Sequence, residues 1–405
     1  MIVIFLLFPL LGLCYVVPIF CVIFPRAAIP LIYLHSLQSY QVQNFSNFAP
    51  YGIFDGSASN FYIQSDFDGT PLGTWCVQEF KLSLLTFRHI RPKVATDFRG
   101  QNKTDITDGV PIFLYLHGIA FNRAYPSRVE VYKFLSRLGY HVMAIDYRGF
   151  GNSGGYPEGE VDIVADAVSL LRYARNVAPH SPVFIWGSSL GTGIAGSLVK
   201  SINETGTVRP PDGIVLDAPF TNMLAAAYHS PQGKAMRVVV AIWHLLKHIF
   251  DSLGIAYNSE AKYKGFACER HIPAQVILPL TDLHIVIRRR GYCSNLFSFQ
   301  RANCPILILH SADDEIVPIQ LGHTAIVISC HLNLVYRWIP PCMNASTLHQ
   351  RSHGESVELN VIKVCESLYS TLKKANVDVT FKNLGFQGFG HNRNHEYPGA
   401  GSLIR

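Results

Sequence analysis

The chain carries little charge. Only 15% of its 405 residues are Asp, Glu, Lys or Arg, against 49% hydrophobic ones, and the basic excess is 34 − 28 = +6. So sparse a supply builds no long basic run, which excludes a surface that tracks a phosphate backbone; nucleic acid is not an expected partner. There are nine cysteines, none of them paired as C-x-x-C and none in a metal-ligand pattern. Neither a zinc site nor a disulfide scaffold is indicated. Cys268, Cys293, Cys304, Cys330 and Cys342 leave room for one disulfide in an oxidising compartment. Internal repeats are lacking, and charge is wholly absent from residues 1–24.

That uncharged stretch, MIVIFLLFPLLGLCYVVPIFCVIF, is long enough at ~1.5 Å rise per residue to cross roughly 30 Å of hydrocarbon. It reads as a transmembrane helix, kinked at Pro9 and Pro18 as helices in lipid tolerate. A cleaved signal peptide is the alternative reading, its start so near the apolar stretch, but the basic n-region and short apolar core of one are missing. Arg26 on its C-terminal flank favours a cytosolic body by the positive-inside rule. Four N-x-S/T triplets, at Asn44, Asn102, Asn203 and Asn344, are glycosylation candidates and point to the lumen instead. The mild positive balance suits an anionic membrane surface.

Residues 25–60 show no clear period and read as a juxtamembrane connector; residues 61–405 read as one enzyme-sized domain. FYIQ at 61 and LSLLTFR at 82 suggest an antiparallel start to a sheet. Apolar strand candidates follow: IFLYL at 112, HVMAID at 141, VFIWG at 183, GIVLDA at 213, ILILH at 306 and VDVTF at 377. Residues 128–138, 161–178, 190–202 and 319–330 carry helical spacing. Buried strands alternating with helices predict βαβ units and a mostly parallel sheet. Residues 220–303 are too long for one crossover and read as a lid or insert. Within them Val239, Ile242, Trp243, Leu246, Ile249, Phe250 and Leu253 recur at helical spacing, as a helix buried on the sheet or one covering an apolar pocket. Residues 338–360 read as a surface loop.

Two G-x-S-x-G matches compete for the nucleophile. In Gly187-Ser188-Ser189-Leu190-Gly191 the serine follows an apolar strand and opens a helical run, the strand, elbow and helix order that exposes Oγ. In Gly151-Asn152-Ser153-Gly154-Gly155 the serine is followed by Tyr156-Pro157 and no helix starts, so Ser189 is the candidate. A serine hydroxyl needs an imidazole base oriented by a carboxylate, in the chain order Ser, acid, His. Asp313 and Asp314 follow strand ILILH at the sheet edge where such folds bind ligands. His391, in Gly-Phe-Gly-His-Asn, follows the last strand candidate, with His395 in reserve. The N–H groups of Leu190 and of Ile119, after IFLYL-His117-Gly118, are the candidate oxyanion donors.

These segments resemble the α/β-hydrolase domain proteins of the monoacylglycerol and lysophosphatidylserine lipase branch. FYIQSDFDGTPLGTW, FLYLHG, VYKFLSRLGYHVMAIDYRGFGNSGG, VFIWGSSLGTG, DAPFTNM, CPILILHSADDEIVPIQLG and LGFQGFGHN carry the likeness across roughly residues 61–395. The resemblance implies an α/β-hydrolase fold with a lid insertion and an N-terminal single-pass anchor. It favours Asp314 through D-x-x-V-P and tips the body toward the endoplasmic reticulum lumen. It implies hydrolysis of single-chain lipid esters, lysophospholipids and monoacylglycerols, with no metal or organic cofactor. Departures from the branch are His117-Gly118-Ile119-Ala120-Phe121 in place of H-G-N-A-G, Ser188 where His is frequent, insertions near 275–300 and 338–356, and a chain end at Arg405 where a final helix is expected. Two further readings stand beside it: a protein depalmitoylating thioesterase, and an inactive hydrolase homologue that binds lipid.

Overall fold

The computed structural model describes residues 16–17, 19–37, 44–53, 56–78, 95–96, 102–103, 106–220, 222–236, 240–255, 257, 306–310, 314–316, 379–383, 391, 393–397 and 400–404. Eight strands form one sheet: β1 Ala58–Gln64, β2 Pro71–Val77, β3 Ile112–Leu116, β4 His141–Ile145, β5 Val183–Ser188, β6 Gly213–Asp217, β7 Ile306–His310 and β8 Val379–Asn383. Their spatial order is β1-β2-β4-β3-β5-β6-β7-β8. β2 runs antiparallel to both β1 and β4, and the remaining pairs are parallel. Every residue of β3, β4 and β6 is buried, as an unbroken apolar run demands when helices cover both faces.

One face is packed by helices α3 Glu160–Val177 and α4 Leu190–Thr205, the other by α2 Pro126–Arg137. Ile163, Leu170, Ile194 and Leu198 enter the first core, and Val129, Tyr132 and Leu135 the second, with Trp75 and Trp186. The chain passes from β3 out to β4 and then across β3 to β5, so the ends of β3 and β5 flank the point where the winding direction reverses. Open α/β sheets form their ligand crevice at such a point. Register sets the two ends level, Leu116 opposite Gly187.

β1 and β3 to β7 lie where the sequence places strands. β8 covers Val379–Asn383, residues 377–378 of the expected strand lying outside the described residues, and β2 is a strand that its sequence did not announce. LSLLTFR, the helical run 319–330 and the loop 338–360 lie outside the described residues. The stretch read as a connector contributes to the body. Ile29 and Tyr33 of the short helix α1, Ile29–Tyr33, are buried in the first core, and β1 already starts at Ala58. Tyr33 Oη donates to the Gly159 carbonyl (3.0 Å), so Tyr257 Oη donates to Tyr33 (3.0 Å).

The insert contributes α5 Met223–His229, α6 Pro231–Met236 and α7 Val240–Leu253. Ile249 and Phe250 are buried in the first core, with Leu246 and Leu253 packed against it, so this stripe of α7 lies on the body. Residues 258–305 fall outside the described residues, as do 1–15 of the expected anchor. Among the described residues no helix is long and apolar enough to cross a membrane. The last of the described helices is α8, Ala400–Ile404, five residues long.

Two buried arginines brace the turn after β4. Arg123 is fully buried against the Asp146 carboxylate and donates to Asn152 Oδ1 (2.8 Å) and Asn60 Oδ1 (2.7 Å). Arg148 bonds Asp166 (2.7 Å), Asp68 (2.9 Å) and Ser65 (3.1 Å). Removing one partner of a buried pair leaves an uncompensated charge. Arg123→Met should therefore destabilise the fold by about 3–5 kcal/mol, read as a shift of the urea midpoint at constant slope, whereas Arg26→Met, at the exposed Glu158 pair, should change it by less than ~1 kcal/mol.

Candidate active site

The serine elbow is built by close backbone approach. A Cβ on Gly191 would lie 1.9 Å from the Leu116 carbonyl oxygen, and one on Gly187 would lie 2.5 Å from the Gly191 carbonyl oxygen. Only glycine admits that contact between the start of α4 and the end of β3. Between them Ser189 sits at φ 51°, ψ −117°, in the left-handed half of φ space that a serine occupies only when the surrounding structure over-determines it. Its N–H is held by the Asp217 carbonyl (2.9 Å), and its own carbonyl accepts from Thr192 N (2.8 Å) and Thr192 Oγ1 (2.7 Å). Leu190 opens α4, so its N–H has no intrahelical acceptor.

The loop after β3 passes over this elbow. A Cβ on Gly118 would stand 3.2 Å from Ser189 Cβ and 3.8 Å from Ser189 Oγ, so this loop comes up to the nucleophile candidate at the residue before Ile119. His117 is fully buried, its Nδ1 2.8 Å from the Gly118 carbonyl, and burial holds its basicity well below the usual imidazole range.

His391 meets Asp314. Its Nδ1 lies 2.7 Å from Asp314 Oδ2, while Asp314 Oδ1 accepts the Ile316 N–H at 3.0 Å. The Asp314 side chain is fully buried and that of His391 is 9% exposed. A buried carboxylate on Nδ1 fixes the tautomer that leaves Nε2 free to take a proton. His395, the reserve candidate, is placed elsewhere. It is buried against Phe134 of α2, its ring centroids 6.1 Å apart.

Ser153 has a structural place. Its Oγ donates to the Asp146 carbonyl (2.7 Å) and accepts the Gly73 N–H (2.8 Å), tying β2 to the turn after β4. Asn44 and Asn203 are exposed. Asn102 pairs across a two-residue ladder with Thr96, and Asn344 lies outside the described residues. Among the described residues no group of His, Cys, Asp and Glu could hold a metal ion.

Sequence reasoning missed a second buried carboxylate. Asp217, at the end of β6, accepts from Asn394 Nδ2 (2.7 Å) and Trp186 Nε1 (3.3 Å), and burial raises its affinity for a proton. Asn394 thereby ties the segment that follows His391 to the sheet. Asp217, the last residue of β6, and Asn394, three residues past His391, carry no motif that could have announced that link.

The family described as Serine aminopeptidase, S33, matches residues 112–327. The lysophosphatidylserine lipase ABHD12 of Danio rerio is 30% identical over 314 residues, 77% of this chain and 69% of that protein. The protein of the same name from Macaca fascicularis is 32% identical over 323 residues, 78% of this chain and 67% of that one. Among solved structures, an alpha-beta hydrolase from Vibrio vulnificus superposes with a TM-score of 0.51 at 16% identity, over 94% of this chain and 92% of that one, a likeness of fold. A lipase- and esterase-type serine hydrolase, this chain belongs to the α/β-hydrolase family that includes the lysophosphatidylserine lipases ABHD12.

Proposed function

We propose that the protein cleaves the acyl ester of single-chain lipids, lysophospholipids such as lysophosphatidylserine and monoacylglycerols, with Ser189 as nucleophile, His391 as base and Asp314 as its orienting acid. The observation that carries this is the 2.7 Å contact of His391 Nδ1 with a buried Asp314, in a chain whose Ser189 sits on a strained elbow. Nε2 of His391 takes the Oγ proton as Ser189 attacks the acyl carbonyl. The oxyanion that forms is met by the N–H groups of Ile119 and Leu190. Collapse expels the glycerol-bearing alkoxide, which receives the proton from His391, and water then hydrolyses the acyl-enzyme with His391 again as base.

The uncharged residues 1–24 anchor the protein in the bilayer as a single-pass segment, with the catalytic body in the endoplasmic reticulum lumen. Val16, Ile19, Phe20, Ile23 and Phe24 are all half or more exposed, which suits an apolar surrounding rather than water. The exposed sequons at Asn44 and Asn203 support the luminal side.

Ser189→Ala should abolish both hydrolysis and labelling by a fluorophosphonate probe without altering the melting temperature. Ser153→Ala should retain labelling while losing about 1–3 kcal/mol of stability from two broken hydrogen bonds. Labelling lost in the Ser153 variant and kept in the Ser189 variant would reverse the assignment, and no labelling of the wild type would leave the inactive lipid-binding reading.

Across lysophosphatidylserines and monoacylglycerols of increasing acyl length, kcat/KM should climb. Each buried CH2 is worth about 0.8 kcal/mol, roughly a fourfold gain per methylene at most. A preference for acetyl or butyryl esters would sink the lipid assignment. Glycosidase treatment of membrane-derived protein should increase its gel mobility, and digestion of the body by protease in sealed microsomes would place it in the cytosol and favour the thioesterase reading.

A further inference from the structure

The loop 117–122 lacks regular structure and carries two non-glycine residues in the left-handed region, Ala120 (φ 61°) and Phe121 (φ 55°). Each costs an L-residue about 1–2 kcal/mol, so the loop needs holding from outside. Arg128, in the first turn of α2 and only 6% exposed, grips one side. Its Nη2 donates to the carbonyls of Gly118 (3.3 Å), Ile119 (3.2 Å) and Ala120 (2.7 Å), and its Nη1 to that of Asn122 (2.8 Å). The N-terminal segment holds the other side: the Ala120 N–H donates to the Tyr33 carbonyl (3.1 Å) and the Phe121 N–H to the Leu37 carbonyl (3.1 Å).

The peptide unit is planar and trans, so the carbonyl of one residue and the N–H of the next point in opposite directions. Three consecutive units therefore have their carbonyls turned onto one guanidinium and their N–H groups turned away from it. Two of those N–H groups, on Ala120 and Phe121, are occupied by Tyr33 and Leu37. The third belongs to Ile119, for which no acceptor is found among the described residues, and it follows Gly118, on which a Cβ would stand 3.2 Å from Ser189 Cβ. Arg128 also has no carboxylate within 4 Å among the described residues, whereas Arg123 and Arg175 each have one and Arg148 has three. Its charge is left to polarise the peptides it grips, which strengthens the donor at their far end.

We infer that Arg128 is the positioning residue of the oxyanion hole: it aims and polarises the Ile119 N–H, with the Tyr33 and Leu37 carbonyls holding the neighbouring amides out of the way. The inference rests on the assignment of Ser189 as nucleophile. It makes the segment 33–37 a working part of the site, and it gives α2 a task beyond packing. Lysine cannot replace this arginine, because a single ammonium on a flexible stem does not span four carbonyls in a fixed fork.

The test compares Arg128→Met, Arg128→Lys and Arg175→Met in the full chain. Arg175 is a buried arginine at the opposite edge of the sheet, paired with Asp212 (2.9 Å), and controls for loss of stability alone. Three quantities are read: kcat and KM on p-nitrophenyl laurate, the affinity of a dodecyl trifluoromethyl ketone whose hemiketal oxygen mimics the oxyanion, and the affinity of a dodecyl glycerol ether that forms none. Arg128→Met should lower kcat roughly a hundred-fold, the lower end of what losing an oxyanion donor costs, with KM nearly unchanged. The ketone should weaken in the same proportion and the ether should not, while Arg128→Lys falls between. Arg175→Met should lower the melting temperature and leave all three in place.

Wild-type kcat and ketone affinity in Arg128→Lys would overturn the inference, and that variant decides if Arg128→Met does not fold. So would a wild type that binds the ketone no more tightly than the ether. A protein that hydrolyses the p-nitrophenyl ester but neither lysophosphatidylserine nor monoacylglycerol would refute the substrate proposed above and leave this test intact.

Discussion

Everything at the carboxyl edge of the sheet depends on how near α4 comes to β3. With a carbonyl oxygen 1.9 Å from where a side chain would begin at Gly191, even alanine would force the helix away from the strand. That contact bends the chain at Ser189 and brings the elbow beneath Gly118. It also sets the ends of β3, β5 and β6 level, and the Asp217 carbonyl can then hold the Ser189 amide. The other two residues of the proposed triad arrive separately, Asp314 just past β7 and His391 past β8, and they meet each other at 2.7 Å.

What was legible in the sequence is what repeats locally. Buried parallel strands are unbroken apolar runs, so IFLYL, HVMAI and GIVLD stood out, and helices α2, α3 and α4 emerged within a few residues of their bounds. The elbow was legible because small residues, a strand and a helix must coincide there. β2 was not: it starts with Pro71, contains Gly73 and is made a strand by its pairing with β1 and β4. Neither were the links of Asn394 with Asp217, 177 residues apart, or of Tyr33 with Gly159, 126 apart. Such contacts are chosen by the finished fold, and neither end has a signature of its own. Ser153 shows the converse, a motif in full view whose hydroxyl is spent on two backbone groups.

The departure at Phe121 has a physical account. The branch places glycine where this chain has phenylalanine, and the backbone there adopts the φ that glycine favours. The Phe121 ring stacks on Tyr125 with centroids 4.4 Å apart and planes 3° from parallel, an interaction worth about 0.5–1.5 kcal/mol. That offsets much of the backbone strain. Tyr125 is shared, since the Arg128 guanidinium lies 5.5 Å from the same ring. Ile119, where the branch has asparagine, packs its side chain against the first core.

The paired hydroxyls of Tyr33 and Tyr257 join residues 224 apart in the chain. During synthesis the earlier tyrosine leaves the ribosome long before its partner exists. At roughly 5–20 residues per second, it waits on the order of ten seconds or more. Throughout that interval the segment that will support the β3 loop has only part of its resting place. Of the contacts that seat Tyr33, the one with Tyr257 is thus the last whose two ends are both available, while the Gly159 carbonyl that accepts from the same hydroxyl is made 98 residues earlier.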